Sequence, residues 1–351
     1  MKGEGIVKRS LRTTAALFAF SALLAAIPAA ASASGSAGEV VVANRASGTI
    51  SVIDAATDRL IGTFGLPEGE NTPEPMYVNY VAPGNHVFVG DRANDRVVVF
   101  DADDYSVVTT IPAGEGVFHQ WADTRGRRLW VNNDIDNTAT VIDPRSLTVV
   151  GTVAMPADLI ADGYQPHDVI LGPRGRYAYV TLLGGTDHDW LVQFDTGTMR
   201  EVNRAEVGLD PHVSIHPRSR LVYVPVQNSS VVTVLDGSTL GVVAELEVPG
   251  AHGATMSPNG RVFYTTNLPG GGTDGIFAID TQTNSVIGSA DTPYAVPHNV
   301  VVSDNQKLFL THSGGTADKV SIYDVSMHNP VPSYRAEVTV GLNPFGIGYV
   351  P

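Results

Sequence analysis

From Glu39 onward, short apolar runs alternate with clusters of glycine, proline, asparagine and aspartate, and one phrase keeps returning. It reads as an apolar strand, a Pro/Gly turn, an apolar-aromatic strand, a loop, a strand ending in aspartate, a tight turn and a last strand. "SVIDAATDRLIGTF", "VVVFDADDYSVVTTI", "ATVIDPRSLTVVGTV" and "VTVLDGSTLGVVAEL" carry its second half, and "LGPRGRYAYVT", "IHPRSRLVYVP" and "MSPNGRVFYTT" its first. The runs are β-branched or alternate with period two, and no stretch has helical periodicity. Asp54, Asp101, Asp143, Asp195, Asp236, Asp280 and Asp324 mark the repeat at spacings of 41 to 52 residues. Seven four-stranded units of that length predict an all-β, seven-bladed propeller.

The ends of the pattern predict how the ring closes. The first unit opens with "VVVANRASGTISVID" and lacks its innermost strand, while the last residues, "NPFGIGYVP", are such a strand without a blade. The C-terminus should therefore complete the N-terminal blade, leaving no open edge. One domain is expected over residues 38–351, after a leader at 1–33 and a short linker at 34–37.

The quoted units, with "RYAYVT", resemble the YVTN-repeat β-propeller family over nearly the whole chain beyond the leader. The resemblance implies the fold. It leaves activity open, since such propellers include binding proteins, lactonases, lyases and metal oxidoreductases.

Loop lengths point to one end of the ring. With strands lettered A to D from the axis outward, the A–B turns are uniform ("PRGR", "PRSR", "PNGR", "PGNH"). The C–D turns are also brief, except "DVSMHNPVPSYR" in the last blade. The D–A and B–C loops vary, as in "LPEGENTPEP", "AMPADLIADGYQ" and "LLGGTDHDW". Repeat proteins place insertions on the binding face, so the D–A/B–C end is the expected mouth for a small-molecule substrate, a protein or a glycan.

Candidate chemistry lies at the same end. The starts of strand A read "PEPMYVNY", "GVFHQWAD", "YQPHDVIL", "LDPHVSIH", "PGAHGATM", "AVPHNVVV" and "LNPFGIGY". Five consecutive blades place His119, His167, His212, His252 and His298 there, and the other two place Met76 and Phe345. Counted to the A–B turn, His119 and His212 fall one residue short of the other three, and one residue turns a side chain to the other face of a strand. His312, at the end of a strand B, is expected beside His298. Asp168 and Asp210 flank two histidines and could orient an imidazole, although a neighbour along a strand ordinarily points away.

Converging imidazoles suit a transition metal, with copper or iron favoured and zinc possible, and no thiolate is present to narrow the choice. The alternative is a wet pore with histidines bonded to water. The arc resembles those of nitrous oxide reductase, the selenium-binding protein/methanethiol oxidase family and the carotenoid oxygenases, whose long hydrophobic insertions are missing here. That resemblance implies redox chemistry on a small molecule. Two other functions stay open: a protein- or glycan-binding scaffold, and a lactonase or lyase using a mouth histidine with Asp168 or Asp210.

Composition removes other classes. The chain of 351 residues has no cysteine, which excludes disulfides, thiolate metal sites and cysteine nucleophiles. Residues 1–33 read as a secretory leader: four basic residues, the apolar run Ala15 to Ile27, and Ala31-Ser32-Ala33 as cleavage site. Its loss removes Lys2, Lys8, Arg9, Arg12 and Glu4, moving the formal charge from −14 to −17. Such acidity disfavours nucleic acid and anionic membranes. No later stretch is long enough to span a membrane, so a periplasmic or extracellular location is expected. "GTDHDW" around His188 and "NNDIDN" at 132–137 read as loops, and His86, His216 and His328 as residues of the far face.

Overall fold

Each repeated phrase folds into one four-stranded antiparallel sheet, and seven such sheets form the propeller in the computed structural model, which describes Met1 and residues 38–351. Apart from Met1, the leader and linker lie outside the described residues. Among those described, no helix is long and apolar enough to cross a membrane.

The burial of each strand follows its place in the blade. In the first blade, strands B (Glu39–Asn44) and C (Thr49–Asp54) are buried almost throughout, while strand D (Arg59–Gly65) alternates partly covered and exposed. Blades then pack face to face: Val52 of the first and Val98 of the second belong to one apolar cluster. Full burial of each such side chain contributes roughly 1.5–3 kcal/mol. All seven C–D pairings contain a register shift, for example between Val52 and Ile53 and between Val141 and Ile142. A bulge there twists the outermost strand and blunts its free edge against pairing with other chains.

The repeated aspartates are turn formers. Asp54 Oδ1 accepts from the backbone N–H of Ala56 and Thr57, and Asp195 and Asp280 repeat the arrangement. Four residues on, the chain passes through the left-handed region at Asp58, Tyr105, Leu147, Met199, Leu240 and Asn284. The seventh, Asp324, leads instead into the longer loop.

The C-terminal strand Pro344–Val350 pairs antiparallel with Glu39–Asn44 (Val40 opposite Tyr349, Val42 opposite Ile347), completing the first blade as its strand A. Lys307 reinforces the seam with the last blade. Its buried ammonium donates to the carbonyls of Ala55 (2.8 Å) and Ala56 (3.0 Å) and to Asp58 (2.5 Å). The absence of helical periodicity needs one correction: Ala157–Ala161 forms a helical turn in a D–A loop.

Candidate functional site at the channel

A bulge at the start of strand A builds the site. In blade 4, Pro166 pairs with Leu182 and Val169 with Val180, so strand A spends three residues where strand B spends two. Blades 1, 2, 3, 6 and 7 do the same. A bulge lets two successive side chains point to one side of the sheet. Adjacent residues His167 and Asp168 consequently both reach the channel, with Nδ1 to Oδ1 at 3.3 Å, contrary to the ordinary alternation of a strand. Thr181 Oγ1 occupies the bulge and accepts the Asp168 N–H (2.9 Å), as Thr311 does for Asn299 (3.0 Å).

This geometry resolves the register. Met76, Phe118, His167, His212, His252, His298 and Phe345 each follow the residue that pairs with the end of strand B. Blade 5 has no bulge, because Pro211 pairs with Val226 and Ser214 with Tyr223. The residue missing between His212 and its turn is the bulge residue, and His212 shares the register of His167, His252 and His298. His119 sits one position later, level with Asp168 and Tyr77. Gly253 and Gly346 occupy that later position in two other blades, where a Cβ would lie 1.8 Å from the His298 carbonyl oxygen and 2.1 Å from that of Met76.

The first level forms a ring of rings. Centroids follow one another from Phe118 to His167 (4.8 Å), His212 (5.0 Å), His252 (3.7 Å), His298 (4.8 Å) and Phe345 (4.1 Å), and Phe345 returns to Phe118 at 6.3 Å. Met76, Tyr77 and Phe345 form an apolar wall with Phe118 against it, opposite the imidazoles. His119 packs on Tyr77 at 4.2 Å. A cavity of about 250 Å³ adjoins the ring and is lined by His119, Asp168 and His212 among others.

Asp168 organises the imidazoles. Its Oδ2 lies 3.1 Å from His212 Nδ1, and burial pushes its carboxyl up less than the charges of His119 and His212, the close His167 ring and the His212 hydrogen bond together pull it down, leaving it well below its usual value. Burial lowers His167, but the close Asp168 carboxylate outweighs it and the net shift is upward. His252 is held well below the ordinary value by burial and then by its imidazole neighbours, and His298 falls to about 3 for the same leading reason. The buried atoms His167 Nδ1, Asp168 Oδ1, His212 Nε2 and His252 Nδ1 have no hydrogen-bond partner in the structure. The 3.3 Å approach of His167 to Asp168 is thus close but poorly aligned. Ligand atoms of His167, Asp168 and His212 lie within 4.8 Å of one another, so this group could hold a metal ion. Asp210 is near, its Oδ1 3.7 Å from His212 Nε2.

His312 stands apart from this set. Its strand position opposite Pro297 is as expected, but its ring nitrogens meet the Ala295 carbonyl (3.1 Å) and the Ser321 hydroxyl. A neutral imidazole satisfies both, donating from Nδ1 and accepting at Nε2. Burial depresses this histidine to about 4, against an ordinary 6.5. Between those values the unfolded chain binds the proton and the folded one does not, so stability present above pH 6.5 is lost as the pH falls toward 4. This group is expected to account for about 3 kcal/mol of that loss. Urea titrations of wild type and His312→Asn at pH 7.5 and 4.5 check it: the variant's stability should fall less over that interval.

The remaining sequence candidates have structural roles. His188 meets Glu206 at 3.8 Å and Trp190 at 5.3 Å in a mouth loop. In "NNDIDN", Asn133 donates to Thr138 and Thr140 and Asp134 pairs with Arg92 (2.8 Å). His216 Nδ1 accepts the N–H groups of Arg218 and Ser219 in its turn. The short count to the turn had marked His119 as offset and Asp168 as a possible partner for an imidazole, but the direction each side chain takes was not legible, although Thr181 and Thr311, alike in two strands B, were a signal.

Residues 21–247 match the family described as lactonase, 7-bladed beta-propeller. Among solved structures, the periplasmic gluconolactonase PpgL of Pseudomonas aeruginosa is similar, with a TM-score of 0.68, 17% identity, 90% of this chain covered and 99% of that one. Kuenenia stuttgartiensis hydrazine synthase gives 0.64, 17%, 80% and 92%, and the dihydro-heme d1 dehydrogenase NirN 0.61, 16%, 92% and 78%. At such identities these likenesses speak for the fold alone. No curated protein matches in sequence. The likeness of the histidine arc to nitrous oxide reductase and the selenium-binding propellers gains no support from these matches.

Proposed function

Given that the chain belongs to the seven-bladed β-propeller lactonase family, we propose that it hydrolyses a small lactone at the His167–Asp168–His212 cluster. The observation that carries this reading is His212 itself. A carboxylate can only accept, so the neutral ring donates Nδ1–H to Asp168, and Nε2, 3.7 Å from Asp210 Oδ1, is left as a buried lone pair without a hydrogen bond at the edge of a cavity. An imidazole so oriented is a general base.

The chain's own groups supply a balanced reaction. His212 Nε2 takes a proton from water, whose oxygen attacks the lactone carbonyl carbon. The ring C–O bond then breaks, and His212 returns the proton to the alkoxide, giving a hydroxy acid. Asp168 stabilises the imidazolium formed on the way. His119 accepts the Val169 N–H at Nδ1 (3.2 Å), and burial lowers its proton affinity, so the neutral ring carries its hydrogen on Nε2. That N–H is the donor for the developing oxyanion. Burial, and then the Asp168 charge, hold the Tyr77 phenol well above its usual value, so it stays protonated on the apolar side.

The unpaired His167 Nδ1, Asp168 Oδ1 and His212 Nε2 also fit a transition metal ion, with zinc, copper and iron all suited to the donors. Such an ion, when bound, would polarise the carbonyl as a Lewis acid. A copper- or iron-dependent oxidation rests on the same imidazoles but has no support from the family. A scaffold role would use exposed apolar residues of the mouth loops such as Ile135 and Leu342, yet it leaves the unpaired channel atoms without a purpose. The leader-like residues 1–33 support action outside the cytoplasm.

The test is hydrolysis of a lactone panel by chelator-treated protein and by protein reloaded with zinc, copper or iron. Hydrolysis well above the buffer rate in either state is expected. No hydrolysis in any state overturns the reading, and equal rates with and without metal remove the metal from it.

A further inference from the structure

The ring of imidazoles lies near the loop-rich end of the channel, but the space beside it does not. The cavity is lined by residues farther along strand A, among them Tyr80, Trp121, Thr255 and Tyr349, on the side toward the A–B turns. Exposure follows the same direction for most of the ring. Met76, His212, His252, His298 and Phe345 are buried there and only Phe118 and His167 keep partial exposure, whereas Asn79, Tyr80, Thr255, Val301 and Tyr349 are partly exposed and Trp121 is 38% exposed.

The loop-rich end is closed over the aromatic half. Arg45, held to Glu74 at 2.6 Å, lies 5.1 Å over the Phe345 ring, and Arg92, held to Asp134 at 2.8 Å, lies 5.7 Å over Phe118. Both guanidiniums come from B–C loops, and Arg92 also donates to the Gly116 carbonyl (3.2 Å). Each is thus fixed by an ion pair and a ring face together.

We infer that the substrate reaches the centre from the A–B turn end, opposite the variable loops, and that Trp121 is the surface on which its ring lies. This rests on the hydrolytic reading and deepens it. Trp121 and His119 project from the same side of one strand, with ring planes 2° apart and centroids 6.4 Å apart, and both line the cavity. A flat ring lying on the indole brings its carbonyl toward His119, Asp168 and His212 without crossing the guanidinium lids. The substrate class this selects is a lactone fused to, or bearing, an aromatic or otherwise flat ring, for which an indole face is the natural partner.

The cysteine-free chain permits a direct test. Thr255→Cys places one thiol at the turn end of the cavity, and Gln165→Cys places one on the exposed start of a strand A at the loop-rich end. Each is modified with a bulky methanethiosulfonate, reversible by reducing agent, and assayed with dihydrocoumarin. Modification of Thr255→Cys should lower kcat/KM at least 20-fold, with recovery on reduction, while modified Gln165→Cys stays within twofold. The reverse pattern, or no effect at either position, overturns the inference. Unmodified variants that hydrolyse no lactone would mean failure of the parent reading. Access is then read without turnover, by diethyl pyrocarbonate labelling of His119 and His212, which the Thr255 adduct should protect. Independently, Trp121→Ala should raise KM for dihydrocoumarin about tenfold with kcat little changed, and raise it less for δ-valerolactone. Equal effects on both lactones would remove Trp121 as the selecting surface.

Discussion

Asp168→Asn is expected to lower kcat/KM for lactone hydrolysis by about 10³–10⁴-fold while the propeller stays folded. Besides accepting the Val213 N–H at 3.4 Å, the carboxylate makes two contacts that an amide cannot reproduce together, at 3.1 Å with His212 Nδ1 and at 3.3 Å with His167 Nδ1. If the amide nitrogen turns toward His212, it donates to Nδ1 and forces the proton onto Nε2, removing the base. If the amide oxygen turns that way the tautomer survives, but the negative charge that stabilises the imidazolium is gone. The pH profile separates this role from a packing defect. His167 is held above its ordinary value by Asp168 against the effect of burial, so its titration should move downward in the variant. The backbone contacts through Thr181 do not involve the carboxylate, and circular dichroism should be unchanged. A variant that retains a tenth or more of wild-type activity would remove Asp168 from the mechanism.

Lys307→Met should be the most damaging single change at the ring seam, costing about 3–5 kcal/mol of stability. The ammonium is buried and bridges the last blade to the first through Ala55, Ala56 and Asp58. Methionine fills much of the volume but leaves the Ala56 carbonyl without this donor and Asp58 with Arg335 (2.6 Å) as its ion-pair partner. Asn305 still serves the Ala55 carbonyl (2.7 Å), so the loss falls chiefly on Ala56 and Asp58. The melting temperature should drop by roughly 6–12 °C. Lys319→Met is the control, since Lys319 meets Thr339 and Asp318 near the surface and exposed pairs of this kind contribute at most about 1 kcal/mol. Equal losses in the two variants would refute the latch.

Both effects depend on contacts between residues remote in sequence. The repeat itself was plain in the chain: seven aspartates ending seven strands C, uniform A–B turns, and a terminal strand lacking its blade, all realised in the pairing of Pro344–Val350 with Glu39–Asn44. These features are local or periodic. A β-branched run, an Asx turn and a left-handed residue four positions later each act within a few residues, so their order specifies the blade.

The histidine arc was legible only as a set of positions. His167, His252 and His298 fell where the repeat placed them, and His212 joined them because its blade has no bulge. His119 stands one step down, beside Tyr77 and Asp168. His312 was drawn to the set by its place on strand B, but rotamer and partners turned it to Ser321 and Ala295.

The sequence by itself determined the blade count, the closure and which residue types could meet near the axis, because the hydrophobic period and the turn chemistry repeat. Only the tertiary structure decided that Asp168 faces the same way as His167, that polar atoms of His167, Asp168, His212 and His252 lack hydrogen-bond partners, and which end of the channel holds the cavity. The physical reason is the bulge. Its presence in six blades and its absence from the fifth add or withhold one residue with little trace in the sequence, and that residue sets which way the side chains beyond it face.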